Sequence, residues 1–318
     1  MVESGVYRHQ SVLSQEAVSG LVPASGGRYV DATFGGGGHA LAILEASAPD
    51  GLVIGLDRDA DALHHATPLV QRFPTRLKLI HSPFSQLGTI LESLQVPAVH
   101  GILFDLGVSS WQLDQSERGF SFMRDGPLDM RMDQQQPTTA AQLVNTLPEG
   151  ELANLIFQLG EERHSRRLAR AIVHDRRQNP FTTTRQLASL AERVIPGRSP
   201  IHPATRTFQA LRMAVNGELE ELQTALEQAY NALLPGGRMA VISFHSLEDR
   251  MVKQFFQNLA RPPLPPGCDP RTPDPPSRLR ILTRKPVVAN EEEVNRNPRA
   301  RSAKLRIGER LIPGEAAA

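Results

Sequence analysis

The sequence holds a single cysteine, Cys268, in 318 residues. One thiol excludes an intrachain disulfide and a cluster of thiolate metal ligands, so a reducing, cytoplasmic setting is expected. No run approaches the ~18 uninterrupted apolar residues of a membrane helix, and the amino-terminal residues lack the basic-then-apolar layout of a secretory signal. His, Asp and Glu also show no metal-ligand spacing. We therefore expect no membrane partner, no secretory leader and no metal.

The net charge is small, only +1, but the charged residues are unevenly distributed along the chain. Residues 1–160 carry a net charge of −8, residues 161–216 of +7, residues 217–260 of −3 and residues 261–318 of +5. Nearly all basic residues are arginine, whose guanidinium binds phosphate through paired hydrogen bonds. This distribution favours a polyanion that is contacted by particular segments. Solvated surfaces and biased codon usage are the alternatives.

Short apolar runs alternate with helical patterns in the first third of the chain. The runs predict strands at Arg28–Phe34, Leu52–Asp57, Leu77–Ser82 and Gly101–Leu106. The intervening patterns predict helices at Ala40–Ala46, Asp59–Val70 and Phe84–Leu94. This strand–helix alternation is typical of a parallel sheet with helices on both faces.

The alternation then stops, and the next convincing strand is Met239–Phe244. A parallel crossover needs only about a dozen residues, and the helical pattern Glu218–Leu234 supplies them. The chain is therefore expected to divide into a sheet domain, residues 1–108 and 217–318, and an inserted helical domain, residues 109–216. Helices of the insert are predicted at Glu149–Leu159, Ser165–Gln178, Arg185–Ile195 and Ala204–Val215.

The last part of the chain is expected to complete the sheet. Ser246–Leu259 is predicted to be helical, and the eight prolines of Arg261–Ser277 exclude regular structure there. Arg280–Val288 and Lys304–Arg310 are predicted to form an antiparallel pair of strands at one edge.

The strongest local motif is a glycine-rich turn between the first strand and the first helix, Gly35–Gly38. Such a turn lets a ligand approach the backbone closely, and Asp57, about 20 residues further on, is placed to bind ribose hydroxyls. The pair indicates an adenosine-containing cofactor and fits both NAD and S-adenosylmethionine. Asp31 favours the second, because its carboxylate can face a methionine ammonium. A turn that only packs a helix on a strand is the alternative.

Two further residues are predicted at the carboxyl edge of the sheet, where ligands bind in such folds. Asp105 ends the fourth predicted strand and is our candidate for a catalytic acceptor, with a turn cap as the alternative. His245 follows the fifth strand and is a second, weaker catalytic candidate. The residues after it, Ser246 and Asp249, fit a helix capping box.

A basic helix face is predicted in the insert. Its residues recur at spacings of four, three, four and three, and are Arg163, Arg167, Arg170, His174 and Arg177. Leu168 and Ile172 lie on the opposite side of the same helix, so one side can pack while the other binds phosphate. We predict Arg163, Arg167, Arg170 and Arg177 as RNA-binding residues. A solvated face is the alternative.

Taken together, these motifs resemble those of the bacterial 16S rRNA (cytosine-N4) methyltransferase family, RsmH or MraW. The resemblance covers nearly the whole chain and rests on His9–Leu13, Glu16–Ala17, Asp31–His39, Asp57–Asp59, Pro83–Ser85, Asp105–Ser110, Gln112–Asp114, Arg118–Phe122, Gly126–Met132, Phe244–Arg250 and Asn297–Arg306. Two departures from the usual family pattern are Trp111 in place of proline and Ala40 in place of Ser or Thr.

The resemblance implies an α/β class I (Rossmann-like) methyltransferase sheet with an inserted helical domain. It implies S-adenosylmethionine as the methyl donor and a decoding-centre cytidine of 16S rRNA, within the small ribosomal subunit, as the acceptor. Carried over by position, the residues that contact the cofactor are Gly37, Gly38, His39, Asp57, Phe84, Asp105 and Gln112. The oligomeric state stays open, a homodimer included.

Two other functions fit parts of the sequence. An NAD-dependent oxidoreductase would share the glycine turn and Asp57, but no nicotinamide-side motif accompanies them. A non-enzymatic RNA-binding assembly factor would share the basic segments and could retain a nucleoside pocket without activity. A base methyltransferase also needs an aromatic side chain that stacks on the target base. The sequence does not identify it, and the candidates are Trp111, Phe120, Phe122 and Phe244.

Overall fold

The computed structural model describes residues 11–195, 201–264, 269 and 275–312. His9, Gln10, Cys268 and much of the proline-rich segment lie outside the described residues. The chain divides into two compact units: residues 1–107 with 221–318, and residues 108–220. The sequence-based boundaries of the insert, residues 109 and 216, differ from these by one and four residues.

The first unit is built on a seven-stranded sheet with the order β3-β2-β1-β4-β5-β7-β6. Its strands are β1 Arg28–Asp31, β2 Leu52–Asp57, β3 Leu77–His81, β4 Val99–Asp105, β5 Leu233–Ser243, β6 Leu279–Ile281 and β7 Lys304–Arg310. The first five strands are parallel, whereas β7 runs antiparallel to both β5 and β6. The predicted antiparallel edge pair is therefore confirmed, although β6 is shorter than the predicted Arg280–Val288.

Fourteen helices occur in the described part of the chain. They are α1 Ser14–Leu21, α2 Gly38–Ala46, α3 Ala60–His65, α4 Thr67–Arg72, α5 Leu87–Ser93, α6 Ser110–Asp114, α7 Ala140–Thr146, α8 Glu149–Gly160, α9 Ser165–Asp175, α10 Thr184–Val194, α11 Thr205–Asn216, α12 Glu218–Ala232, α13 Ser246–Ala260 and α14 Glu291–Arg296. None of these helices has both the length and the apolar composition required to cross a membrane.

The sequence did not predict four of these helices, α1, α6, α7 and α14, and it merged two others. The predicted helix Asp59–Val70 is divided into α3 and α4, because Pro68 at the start of α4 has no N–H to donate and its ring clashes with the preceding turn. The predicted helix Phe84–Leu94 begins as a 3-10 turn, Phe84–Gln86, and α9 ends three residues earlier than predicted.

Both faces of the sheet are buried. Val30 and Ile102 contribute to the core on one face, together with residues of α5, α12 and α13. Their neighbours along the strands, Tyr29 and Leu103, contribute to the core on the other face with residues of α1 and α2. Because successive side chains of a strand point to opposite faces, this alternation produces the two helix layers that a parallel sheet requires.

The second unit has a core of its own. Helices α7 to α11 bury Leu152, Ile156, Leu168 and other apolar side chains. The loop from Phe120 to Met132 also contributes to this core, and buried Asn216 holds it: the amide of Asn216 donates to the carbonyl of Met130 at 2.8 Å and accepts from the N–H of Met132 at 2.9 Å. In addition to the four predicted helices, the second unit therefore contains α6, α7 and a well-packed loop.

Candidate functional site

Three carboxylates lie at the carboxyl edge of the sheet. The neighbouring strands β2, β1 and β4 end at Asp57, Asp31 and Asp105. The strand order reverses direction between β1 and β4, and this reversal creates the crevice in which open α/β sheets bind ligands. The topology thus places all three acids beside the expected cofactor crevice of the first unit.

The glycine turn needs glycine for both conformation and space. Gly35 and Gly37 have φ angles of +51° and +75°, in the left-handed region. A Cβ at Gly37 would lie 2.7 Å from Cζ of Phe34, closer than packed atoms approach. Gly37 caps α2 and Gly38 is its first residue, so the free N–H groups of the helix start directly after the turn.

Asp57 connects the glycine turn to the end of β2. One carboxylate oxygen accepts from the N–H of Gly35 at 2.7 Å and the other accepts from the N–H of Asp59 at 2.8 Å. Burial raises the pKa of Asp57 to about 6, against the lowering effect of these two donors. Each carboxylate oxygen can accept a second hydrogen bond. Asp57 can therefore both hold the turn and bind ribose hydroxyls.

Asp31 is fully buried at the end of β1. Its Oδ1 accepts from the N–H of Thr33 at 3.3 Å, and its Oδ2 has no hydrogen-bond partner among the described residues. Burial, with smaller contributions from Asp105 and Asp57, raises its pKa to about 6, although His39 lowers it. A buried carboxylate oxygen without a partner is costly. This acid therefore fits a cationic ligand group, such as the ammonium of a methionine moiety.

His39 and Asp105 join α2 to the end of β4. His39 Nε2 lies 3.3 Å from Asp105 Oδ2, and His39 is buried. Burial alone would lower the pKa of His39, but the Asp105 and Asp31 carboxylates outweigh it and raise that pKa. The N–H of Asp105 donates to Thr33 Oγ1 at 2.6 Å, a contact that sequence reasoning missed although Thr33 belongs to the glycine motif.

Phe84 lies in the 3-10 turn that follows β3, at the same edge of the sheet. Its half-buried ring packs edge-on against Phe104, with ring centroids 5.8 Å apart and planes at 89°. Phe84 is thus placed as an apolar wall beside the crevice.

Gln112, the remaining residue of the expected cofactor set, belongs to the second unit. It is buried and forms a capping box with Ser109 at the start of α6: the N–H of Gln112 donates to Ser109 Oγ at 3.2 Å and the N–H of Ser109 donates to Gln112 Oε1 at 2.9 Å. The capping box holds the Gln112 side chain at the start of α6. Its contact with the cofactor stays a prediction.

The predicted capping box of Ser246 and Asp249 is wrong. The box is formed one residue earlier: His245 Nδ1 accepts from the N–H of Glu248 at 3.4 Å, and Glu248 Oε2 accepts from the N–H of His245 at 3.4 Å. His245 Nε2 also lies 3.0 Å from Glu248 Oε1. Asp249 is available to other partners, Lys304 and Arg306 of β7. The sequence signal for this box is Glu248, three residues after His245, because a capping box has Glu or Gln at that position.

The basic face of the second unit is exposed. Arg167, Arg170 and His174 lie on α9, whereas Arg163 precedes the helix and Arg177 follows it. Arg170 is 3.6 Å from Glu149. For the other three arginines the described residues provide no ion pair. Leu168 and Ile172 are fully buried on the other side of α9, as predicted.

A 3-2-1-4-5-7-6 sheet with a glycine turn, a carboxylate at the end of β2 and an acidic crevice defines a class I methyltransferase that uses S-adenosylmethionine. The comparisons with known proteins specify the class further. The MraW methylase family matches residues 6–311, and the chain belongs to this family.

Related proteins align with nearly the whole chain. A protein of Magnetococcus marinus named ribosomal RNA small subunit methyltransferase H is 52% identical over 310 residues, 96% of this chain and 99% of its own length. A protein of Bradyrhizobium diazoefficiens with the same name is 54% identical over 303 residues, 95% and 91% of the two chains. Among solved structures, an rRNA methylase from Streptococcus thermophilus aligns with a TM-score of 0.42 and 11% identity over 94% of this chain and 95% of that chain.

Proposed function

We propose that this methyltransferase transfers a methyl group to N4 of a decoding-centre cytidine in the 16S rRNA of the small ribosomal subunit. The names of the full-length relatives support small-subunit rRNA as the substrate. The observation that carries the reaction is the acidic crevice, in which Asp31 has an oxygen without a hydrogen-bond partner among the described residues and Asp105 lies against His39.

The residues of the first unit fit S-adenosylmethionine, which carries a sulfonium and an ammonium. In the proposed assignment Asp57 binds the ribose hydroxyls, Asp31 faces the ammonium, and the Gly37–Gly38 backbone allows close approach. Phe84 completes the set in this unit. When bound, the donor supplies a methyl carbon made electrophilic by the positively charged sulfur. Three carboxylates in one crevice favour such a cation.

The chain must make a poor nucleophile reactive. The amino nitrogen of cytosine has its lone pair delocalised into the ring, so it must be held about 3–3.5 Å from the methyl carbon, in line with the carbon–sulfur bond. A carboxylate oxygen of Asp105 can accept one N–H of this amine and favour its pyramidal form. His39, whose Nε2 lies 3.3 Å from Asp105 Oδ2, is a predicted cofactor contact and also a positioning residue for Asp105.

The amino nitrogen must lose one proton when it is methylated. His245, which follows β5 at the same edge, is the proposed second catalytic residue, taking up that proton or holding a phosphate. Its ring lies against Glu248, so it also has a structural function as a helix cap.

The target base also needs an aromatic neighbour. Phe120 is buried in the core of the second unit, and Phe122 stacks on His202 with ring centroids 4.5 Å apart. Both rings are therefore used in packing. Phe244 also packs, partly buried, against a core of the first unit, so Trp111 is favoured for the stacking role.

The experiment that tests the function is methyl transfer to naked 16S rRNA and to assembled small subunits, followed by nucleoside mass analysis. N4-methylcytidine at one position is the expected product, and Asp105→Ala, which has no acceptor oxygen on its side chain, is the inactive control. A methyl group on another base or atom would overturn the assignment. Binding of RNA without transfer would favour an assembly factor, and stabilisation by NADH in place of S-adenosylhomocysteine would favour an oxidoreductase.

A further inference from the structure

The last backbone N–H of β4 is bound by a side chain and not by the neighbouring strand. Strands β1 and β4 pair in parallel up to Asp31 and Leu103, and the N–H of Ala32 still donates to the carbonyl of Leu103 at 2.9 Å. A regular parallel ladder would continue with the N–H of Asp105 donating to the carbonyl of Ala32. Thr33 Oγ1 accepts from that N–H instead, at 2.6 Å. The Thr33 hydroxyl thus replaces a strand carbonyl at the end of β4.

The chain leaves β4 at this point because it must enter the glycine turn. The N–H of Phe34 donates to the carbonyl of Leu56 in β2 at 2.8 Å, so the residue after Thr33 is already directed towards the strand on the other side of β1. Without the hydroxyl, the N–H of Asp105 would be a partly buried donor that has lost its ladder partner, which is costly. Thr33 therefore satisfies the end of β4 where β1 no longer can.

Thr33 is itself held in place. Its N–H donates to Asp31 Oδ1 at 3.3 Å, and its β-branched side chain restricts rotation about χ1. One acid of the crevice thus fixes the backbone of Thr33, and Thr33 in turn fixes the backbone of another acid, Asp105. The carboxylate of Asp105 lies against His39, with Oδ2 3.3 Å from Nε2. Asp105 is therefore restrained at two points, its backbone nitrogen by Thr33 and its carboxylate by His39.

We propose that Thr33 is a positioning residue for Asp105. This proposal rests on the proposed function, in which the Asp105 carboxylate accepts an N–H of the substrate amine. That amine must be aligned with the methyl carbon and the sulfur, and a misplacement of about 1 Å can lower a rate on the order of 100-fold. Holding the last N–H of β4 prevents the end of the strand from turning and so fixes the direction of the carboxylate. Thr33 contacts neither reactant in this assignment and acts through Asp105.

The test compares Thr33→Val, which keeps the shape of the side chain but removes the acceptor, with Thr33→Ser, which keeps the hydroxyl. Methyl transfer is measured in single turnovers at saturating S-adenosylmethionine and RNA. Thr33→Val should be at least about tenfold slower than the wild-type protein, because Asp105 loses its alignment. Thr33→Ser should restore most of the rate. Thr33→Ala removes the same acceptor with less bulk and takes the place of Thr33→Val if that variant does not fold.

Thr283 offers a matched control in the same unit. Its Oγ1 accepts from the N–H of Ile307 in β7 at 2.8 Å, which is the same type of bond on a strand that carries none of the three carboxylates. Thr283→Val should lower the thermal midpoint about as much as Thr33→Val, because each change leaves one strand N–H without its acceptor, but it should keep the wild-type rate. Equal rate losses in the two Val variants would show that stability alone sets the rate and would overturn the proposal.

A second readout needs neither RNA nor cofactor. Burial acts to lower the pKa of His39, and the Asp105 carboxylate is the main group that raises it, with smaller contributions from two other acids. Thr33→Val should therefore lower the pKa of His39, measured by NMR titration of the ring, whereas Thr33→Ser and Thr283→Val should leave it unchanged. An unchanged titration in Thr33→Val would overturn the proposal. Failure of the wild-type protein to methylate the RNA would overturn the proposed function alone.

Discussion

His39 Nε2 and Asp105 Oδ2 lie 3.3 Å apart, which joins the first turn of α2 to the end of β4. The two elements are the ones that the sequence assigns to cofactor binding and to catalysis. If cofactor binding shifts the glycine turn, His39 should therefore move the Asp105 carboxylate, which is proposed to accept a hydrogen bond from the substrate amine. The pair also explains why the pKa of His39 is raised although the ring is buried.

Asp31→Asn should stabilise the protein without cofactor at neutral pH. The pKa of Asp31 is about 6 in the folded protein against an ordinary value of 3.8. Between these values the folded state binds more protons than the unfolded state, so the free energy of unfolding falls as pH rises from about 4 to about 6, and the loss persists above that. The amide removes this loss, on the order of 1–3 kcal/mol at pH 7.5. Urea unfolding at pH 7.5 and pH 4 measures it.

The same substitution should weaken binding of S-adenosylmethionine, because the acid proposed to face its ammonium is removed. Asp50→Asn is a suitable comparison: hydrogen bonds from Ser25 and Gly26 lower the pKa of this exposed acid, so its replacement should cost stability at neutral pH and leave cofactor binding unchanged. An Asp31→Asn protein that binds S-adenosylmethionine normally would argue against the proposed ammonium site.

Asp57→Ala should weaken S-adenosylhomocysteine binding by about 1–3 kcal/mol, because ribose hydroxyls and the N–H groups of Gly35 and Asp59 lose their acceptor. Isothermal titration calorimetry on a folded variant measures this loss. The matched Asp61→Ala variant, four residues further along in α3, should bind normally. Unchanged affinity for Asp57→Ala would place the pocket elsewhere.

Asp105→Ala should abolish methyl transfer in single-turnover experiments at saturating cofactor and RNA. Some loss of cofactor affinity is also expected, because Asp105 belongs to the proposed cofactor set, so both reactants must be saturating. A near-normal rate under these conditions would exclude Asp105 as the acceptor of the amine hydrogen bond.

The sequence predicted much of this geometry from local patterns. The bounds of β2 and β7 are as predicted, and the acids at the ends of β2 and β4 follow from the rule that parallel strands end at one edge. Helix α7 and the loop up to Met132 were missed, because they are ordered by burial in a shared core rather than by a regular apolar period. The contact of His39 with Asp105 was missed because it joins two elements far apart in the chain.

His245→Ala should cost about 1 kcal/mol of stability, because α13 loses its cap. This role was hidden in the sequence, since Ser246 offered a more familiar cap one residue later. His245→Asn retains a capping acceptor and should restore the stability measured by thermal unfolding. If His245→Asn is stable but transfers methyl groups slowly at saturating RNA, the ring is catalytic. A defect that saturating RNA removes would assign it to phosphate binding.

The exposed arginines around α9 are expected to bind rRNA phosphates. Changing Arg163, Arg167, Arg170 and Arg177 together to Gln should weaken RNA binding and flatten its salt dependence by about 0.7–0.9 log units per log salt for each phosphate that is no longer neutralised. Binding of S-adenosylhomocysteine should stay the same, since the acids proposed to bind it belong to the first unit. Filter binding across a salt series, with calorimetry for the cofactor, measures both.

The control must remove four charges from other parts of the second unit. Arg124, Arg185, Arg193 and Arg206 meet this requirement; Arg185, Arg193 and Arg206 each have an acidic partner in that unit, so their charges are already partly neutralised. Replacing these four by Gln lowers the net charge equally but should preserve most of the salt slope. If both quadruple variants bind and methylate RNA alike at physiological salt, the α9 face is a solvated surface. RNA recognition would then depend on the basic segment around Arg296, Arg299, Arg301 and Lys304.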